Sequence, residues 1–158
     1  MRPLPLAALL AALAAPALAS PDRVEPREGW RVIETAIPYA DLLPRLREAI
    51  ASAKMGLVTE AGPTEAAAAR GETIPGNRVL GVFRNDYAVR AVRACVPAMI
   101  EAPIRFYVTE RPDGAATLSW KLPSALFAAY AETCGPAIAE IGAELDPVFE
   151  TIAAEAAR

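Results

Sequence analysis

Histidine is missing from all 158 residues. Without it neither a Ser-His-Asp nor a Cys-His nucleophile can be assembled, and the commonest transition-metal ligand is gone. Cysteine is almost as scarce. Cys95 and Cys134 are the only two, half of what a four-cysteine zinc site needs. Lysine occurs only at positions 54 and 121, so arginine carries nearly all the positive charge. No GxGxxG, GxxxxGKS/T or DxDxDG run is present for a nucleotide or Ca²⁺. The formal net charge is −3, a sign that opposes general nucleic-acid binding, which needs a basic surface against the phosphates. After the first twenty residues no apolar run reaches the ~18 residues needed to cross a bilayer. No metal, cofactor or catalytic residue is expected from this inventory.

What is present begins with MRPLPLAALLAALAAPALAS. Arg2 supplies a positive start, Leu4 to Leu13 an apolar run interrupted by Pro5, and Ala17-Leu18-Ala19 a small-x-small cleavage site. Residues 1–19 therefore read as a signal peptide, and the mature chain is expected to be soluble and exported, periplasmic or secreted. Residues 20–29, SPDRVEPREG, are polar with two prolines and read as a flexible tether. From 30 to 157 there is no linker and no internal repeat, so one domain is expected.

Within that domain Trp30–Ile37 alternates well enough for a strand. A helix follows, with Asp41 as its expected cap and Pro44 in its first turn, carrying Leu42, Leu46, Ala49 and Ala53 at helical spacing. Gly56 is the expected left-handed terminator. Leu57–Ala61 is a second strand, and Thr64 starts a short helix. Arg78–Arg84 is apolar on both faces, as a central strand is. Asn85 is read as the cap of a helix ending near Cys95, with Asp86 and Arg90 paired at i,i+4. Pro123 to Cys134 forms another helix. Ile138, Ile141, Leu145, Val148/Phe149 and Ile152 then make one apolar stripe on a last helix that contains Pro147.

Between them lies RFYVTERPDGAATLSWKLP, Arg105 to Pro123, two alternating strands about a turn. Pro112-Asp113-Gly114 suits a type I turn followed by a left-handed glycine. One face carries Ile104, Phe106, Val108, Leu118, Trp120 and Leu122. The other carries Arg105, Tyr107, Thr109, Thr117, Ser119 and Lys121. The turn sets Arg105 across from Lys121, and like charges directly across a ladder repel. An anion would relieve the pair, and so would Glu34 or Glu60 on a neighbouring strand. That face reads in three ways: an ordinary solvated surface, a dimer contact, or a site for a small anionic ligand built on Arg105, Tyr107 and Lys121. Glu60 and Glu65, close to Asn77 and Arg78 in sequence, either rim a pocket or are plain surface carboxylates.

In an exported protein two cysteines commonly pair. Cys95 falls on the Ala88, Val92 stripe of its helix and faces the core on that reading; Cys134 ends a later helix. A Cys95–Cys134 disulfide, two unconnected buried thiols, and redox or soft-metal chemistry are the three options.

The segments MGLVTE (Met55–Glu60), RVLGVFRND (Arg78–Asp86), APIRFYV (Ala102–Val108) and DGAATLSWKLP (Asp113–Pro123) resemble domain-of-unknown-function family 302, the similarity running from about Trp30 to Tyr130. Asn85-Asp86 departs from the Asn-Pro frequent there. The resemblance implies an α+β two-layer sandwich, an open and largely antiparallel sheet with helices packed on one face, often as a homodimer. It implies no activity and no catalytic residue. The expectation is thus an exported, non-enzymatic module, acting as a homodimer, that binds a small anionic ligand or another envelope protein. The alternative is an accessory protein in envelope thiol or metal handling that uses Cys95 and Cys134.

Overall fold

Gly114, at φ +81°, closes the hairpin as its turn requires: its N–H donates to the Arg111 carbonyl at 2.9 Å, and the Asp113 carboxylate accepts the Ala115 N–H at 3.0 Å. The strands it joins, β4 (Ile104–Glu110) and β5 (Ala115–Lys121), form the centre of the fold. The computed structural model describes residues 23–158; the signal expected at 1–19, and residues 20–22 of the tether, lie outside the described residues.

Strands β1 (Trp30–Pro38), β2 (Gly56–Ala61) and β3 (Asn77–Phe83) complete an open sheet in the order β1-β5-β4-β3-β2, antiparallel at every pairing. The hairpin register is Phe106 opposite Trp120, Tyr107 opposite Ser119 and Thr109 opposite Thr117. Helices α1 (Tyr39–Ser52), α2 (Thr64–Ala68), α3 (Asn85–Ala94), α4 (Pro123–Cys134) and α5 (Pro136–Ala156), with a 3₁₀ segment over Val96–Glu101, complete an α+β two-layer sandwich. No described helix is long and apolar enough to cross a membrane.

Period two along the hairpin puts Phe106, Val108, Leu118 and Trp120 under the helices. Phe106 is fully buried, its ring centroid 5.0 Å from that of Phe149 on α5 and 5.6 Å from that of Trp120. The α5 stripe is buried at Ile138, Ile141, Leu145, Phe149 and Ile152, and Pro147 sits inside the helix without ending it. Burying each such large side chain contributes about 1.5–3 kcal/mol, which is why α5 dominates the helical layer.

Several local expectations are corrected. The first helix begins at Tyr39, not after Asp41, and Pro44 therefore lies past the first turn. The Gly114 carbonyl accepts the Tyr39 N–H at 3.1 Å, so the hairpin turn satisfies a donor that a side-chain cap would have taken. Lys54 at φ 56°, not Gly56, takes the left-handed conformation after α1; Gly56 opens β2. Asn85 is the first residue of α3 and makes no capping bond. Asp86 and Arg90 do not pair with each other. Arg90 forks onto both oxygens of Glu144 on α5, each at 2.7 Å, and Asp86 holds Arg84 at 2.8 Å. A bidentate partner outcompetes a single i,i+4 contact. The inward stripe of α3 runs through Ala91 to Cys95, whereas Val92 is 45 % exposed.

Candidate functional site

The helix-free face of the sheet is not flat. A concavity of about 450 Å³ is lined by Arg105, Tyr107, Ser119 and Lys121 of the hairpin with Trp30 of β1 and Val79 of β3, and at its end by Leu126 of α4. Ser119 is fully buried at its floor and Thr117 beside it is 5 % exposed, while Arg105 and Lys121 reach solvent. The three residues expected to form an anion site, Arg105, Tyr107 and Lys121, thus line one hollow. Thr117 and Ser119 are buried while Arg105 and Lys121 are exposed, so the solvation of this face is uneven.

Hydrogen bonds orient the middle of this hollow. Asn77 Nδ2 donates to Tyr107 Oη at 2.6 Å, which occupies a lone pair of the phenol and leaves its proton free to donate. Ser119 Oγ donates to the Tyr107 carbonyl at 3.4 Å. The register ends at Phe106 opposite Trp120, and continued by one residue it sets Arg105 across from Lys121. Lys121 Nζ stands 5.4 Å from the Trp30 ring centroid and the Arg27 guanidinium 4.8 Å from it. Each such cation–π contact is worth about 0.5–1 kcal/mol at an exposed site.

Charge is distributed unevenly. Arg23, Arg31, Arg47, Arg70, Arg78, Arg84, Arg90 and Arg111 each meet a carboxylate. Among the described residues Arg27, Lys54, Arg93, Arg105, Lys121 and Arg158 make no ion pair with an acidic side chain, nor does Arg45, which donates to the Arg158 O at 2.7 Å; of these, Arg27, Arg105 and Lys121 border Trp30 or the hollow. Neither glutamate expected to relieve Arg105 and Lys121 does so. Glu34 pairs with Arg23, and Glu60 takes both Arg47 nitrogens at 3.0 and 2.6 Å. The hollow presents donors and cations, so it suits an acceptor-only oxyanion.

A second polar cluster lies on the helix side at the β2–β3 edge. Arg78, its side chain 17 % exposed, stands between Glu60 at 3.8 Å and Glu65, which it contacts directly. Arg47 beside Glu60 holds that carboxyl below the ordinary carboxylate range, with Arg78 adding to the effect. Burial pushes the Tyr39 phenol above its usual value, against the opposing pull of Arg78. Every charge here is compensated, so the cluster is a fastening between α1, α2 and the sheet. Glu65 is an exposed surface carboxylate, 67 % exposed, whereas Glu60 is only 22 % exposed, and both are held in ion pairs.

Cys95 and Cys134 are joined by a disulfide with Cα atoms 5.4 Å apart, tying the end of α3 to the end of α4. Among the described residues no group of three or more acidic or sulfur ligands could hold a metal ion.

Residues 32–152 match the family model described as domain of unknown function DUF302. The chain belongs to the DUF302 family. Its fold is similar to the crystal structure of the uncharacterized conserved protein DUF302 from Bacillus stearothermophilus, at 18 % identity and a TM-score of 0.68, covering 84 % of this chain and all of that one. No curated protein matches significantly. DUF302 is by description a domain without an assigned activity, so the site rests on this chain's own residues. Within the DUF302 frame the hairpin contributes Arg105, Tyr107 and Lys121. Trp30, Asn77 and Val79 come from strands that only the sheet order brings alongside, and nothing in their own segments marks them.

Proposed function

We propose that this protein is an exported, non-enzymatic binding module, acting as a homodimer, that takes a small anionic ligand on the open face of its sheet. One observation carries the binding reading: Arg105 and Lys121 line a single hollow of about 450 Å³ without a carboxylate partner among the described residues. Cations set side by side without counter-charge cost stability, and a ligand that neutralises them repays it. Ligand sites of comparable volume, apolar in lining with a few converging polar groups, are the ordinary kind. Export is supported by the leader-like first nineteen residues, and the homodimer by the family resemblance.

A thermal-shift series with phosphate, sulfate, acetate and succinate tests the binding reading. At 100 times its Kd a ligand adds about 2.7 kcal/mol of stability. The double variant Arg105→Gln/Lys121→Gln should lose the shift; a shift that persists places the anion elsewhere. Sedimentation equilibrium checks the dimer, and the N-terminal residue of secreted material checks cleavage after Ala19. Thiol or metal handling has less support, because both sulfurs are engaged in the bridge and Cys95 is 3 % exposed. Thiol titration of the native protein tests it, and two reactive sulfurs would revive it.

A further inference from the structure

The hollow at Arg105 and Lys121 does not end at Tyr107. Asn77 and Tyr107 also line a second, larger concavity of about 800 Å³, which continues along the same face toward the hairpin turn. Their hydrogen bond forms the sill between the two halves. From Arg105 to Thr109 the strand runs four residues, about 13 Å, and the second half extends beyond that. Its walls are the segment at Arg23 and Val24 on one side and the loop at Ile74 and Pro75 on the other.

The two halves differ in charge. The first holds cations with no carboxylate partner among the described residues. In the second every ionic group is already engaged. Arg23 pairs with Glu34, and the Glu110 carboxylate takes the Gly76 N–H at 2.7 Å. Arg111 donates to the Thr35 carbonyl at 2.8 Å and the Ala116 carbonyl at 3.2 Å. What remains on offer there is Val24, Ile74, Pro75, Pro112 and the aromatic flank of Tyr107, with the neutral hydroxyls of Thr73 and Thr109. One end attracts an anion, and the length of the trough presents neutral and apolar surface.

Resting on the anion-site reading above, we propose that the ligand is a monomeric single-chain amphiphile with an oxyanion head. The head meets Arg105 and Lys121 and accepts the Tyr107 hydroxyl proton, while the chain lies along the trough past Asn77 toward Ile74. A compact inorganic anion would leave the second half empty, and a fully apolar ligand would leave the cations unmatched.

Calorimetric titration of the whole protein with acetate, butyrate, hexanoate, octanoate and decanoate, below their micelle concentrations, tests this. The matching alkyl phosphates form a second arm that separates a carboxylate head from a phosphate one. Kd should fall about two- to fourfold per methylene, the upper value corresponding to ~0.8 kcal/mol per buried CH₂, and level off when the chain outgrows the trough. Arg105→Gln/Lys121→Gln should weaken all members at least tenfold. Thr109→Glu, which adds a charge along the chain's path, should weaken octanoate and leave acetate unchanged. Equal affinity for short and long members overturns the amphiphile and leaves the anion site standing; no binding by any member removes both. Affinity for octanoate that survives Arg105→Gln/Lys121→Gln overturns the placement of the head. A Kd that rises with protein concentration marks a second copy as the occupant, and binding to phosphatidylglycerol vesicles without affinity for monomers marks a membrane. Either result overturns the proposal.

Discussion

Replacing Arg105 by glutamine should leave the protein as stable as before or make it more so. The Arg105 side chain makes no hydrogen bond and no ion pair among the described residues, so the substitution removes no side-chain partner. What it does remove is repulsion from Lys121 across the ladder, in the register that sets Phe106 opposite Trp120. Like charges directly across an antiparallel ladder destabilise by about 0.2–1 kcal/mol. Urea unfolding at low salt should therefore show Arg105→Gln between unchanged and about 1 kcal/mol more stable. The gain should fade at 1 M salt, where the screening length falls to about 3 Å. Arg78→Gln is the contrasting case. Its side chain is 17 % exposed and braces Glu60 and Glu65, and its loss should cost about 1–3 kcal/mol. If Arg105→Gln instead lost about 2 kcal/mol or more at every salt concentration, Arg105 would be holding the fold and the reasoning about unmatched charge would fail.

Four further outcomes follow from packing and charge. Phe106→Ala, fully buried against Phe149 and Trp120, should cost about 3–5 kcal/mol by denaturant unfolding. Cys95→Ala/Cys134→Ala opens a bridge of sequence separation 39 and should lower stability by about 4 kcal/mol on the loop-entropy account; a reductant should do the same to the parent protein. Gly142→Ala should destabilise, against the usual helix preference for alanine, because the new Cβ would lie 2.7 Å from Ser124 Cα where α4 and α5 touch; a variant with raised Tm contradicts that close approach. Glu60 has a folded-state pKa below its unfolded one, so its contribution is complete above the ordinary carboxylate value of about 4.3 and is lost as pH falls through the lower folded value. Glu60→Gln should accordingly flatten the acid limb of the stability curve, and an unchanged limb would remove Arg47 and Arg78 as its cause.

Much of the architecture was legible because it rests on local periods. Alternation along 104–122 and the 3.6-residue stripe of α5 each name their buried face without reference to the rest of the chain. The pairing of Arg105, Tyr107 and Lys121 was legible too, since Pro112-Asp113-Gly114 sets the register. What escaped depends on who stands next to whom. Trp30, Asn77 and Val79 join the hollow only because β1 flanks β5 and β3 flanks β4. The cap at Asp41 was displaced by a carbonyl some seventy residues away, at Gly114. Arg90 found its partner on α5 rather than one turn along its own helix. Long-range partners of this kind leave no mark on sequence spacing.

The measurement that bears most directly on the ligand site is a ¹⁵N-resolved NMR titration of the whole protein with sodium octanoate. Shift changes should begin at Trp30, Arg105, Tyr107, Ser119 and Lys121 and extend to Thr109 and Ile74. Changes clustered instead on α3 and the 3₁₀ segment, with the hairpin amides unmoved, would contradict a ligand site on the open face.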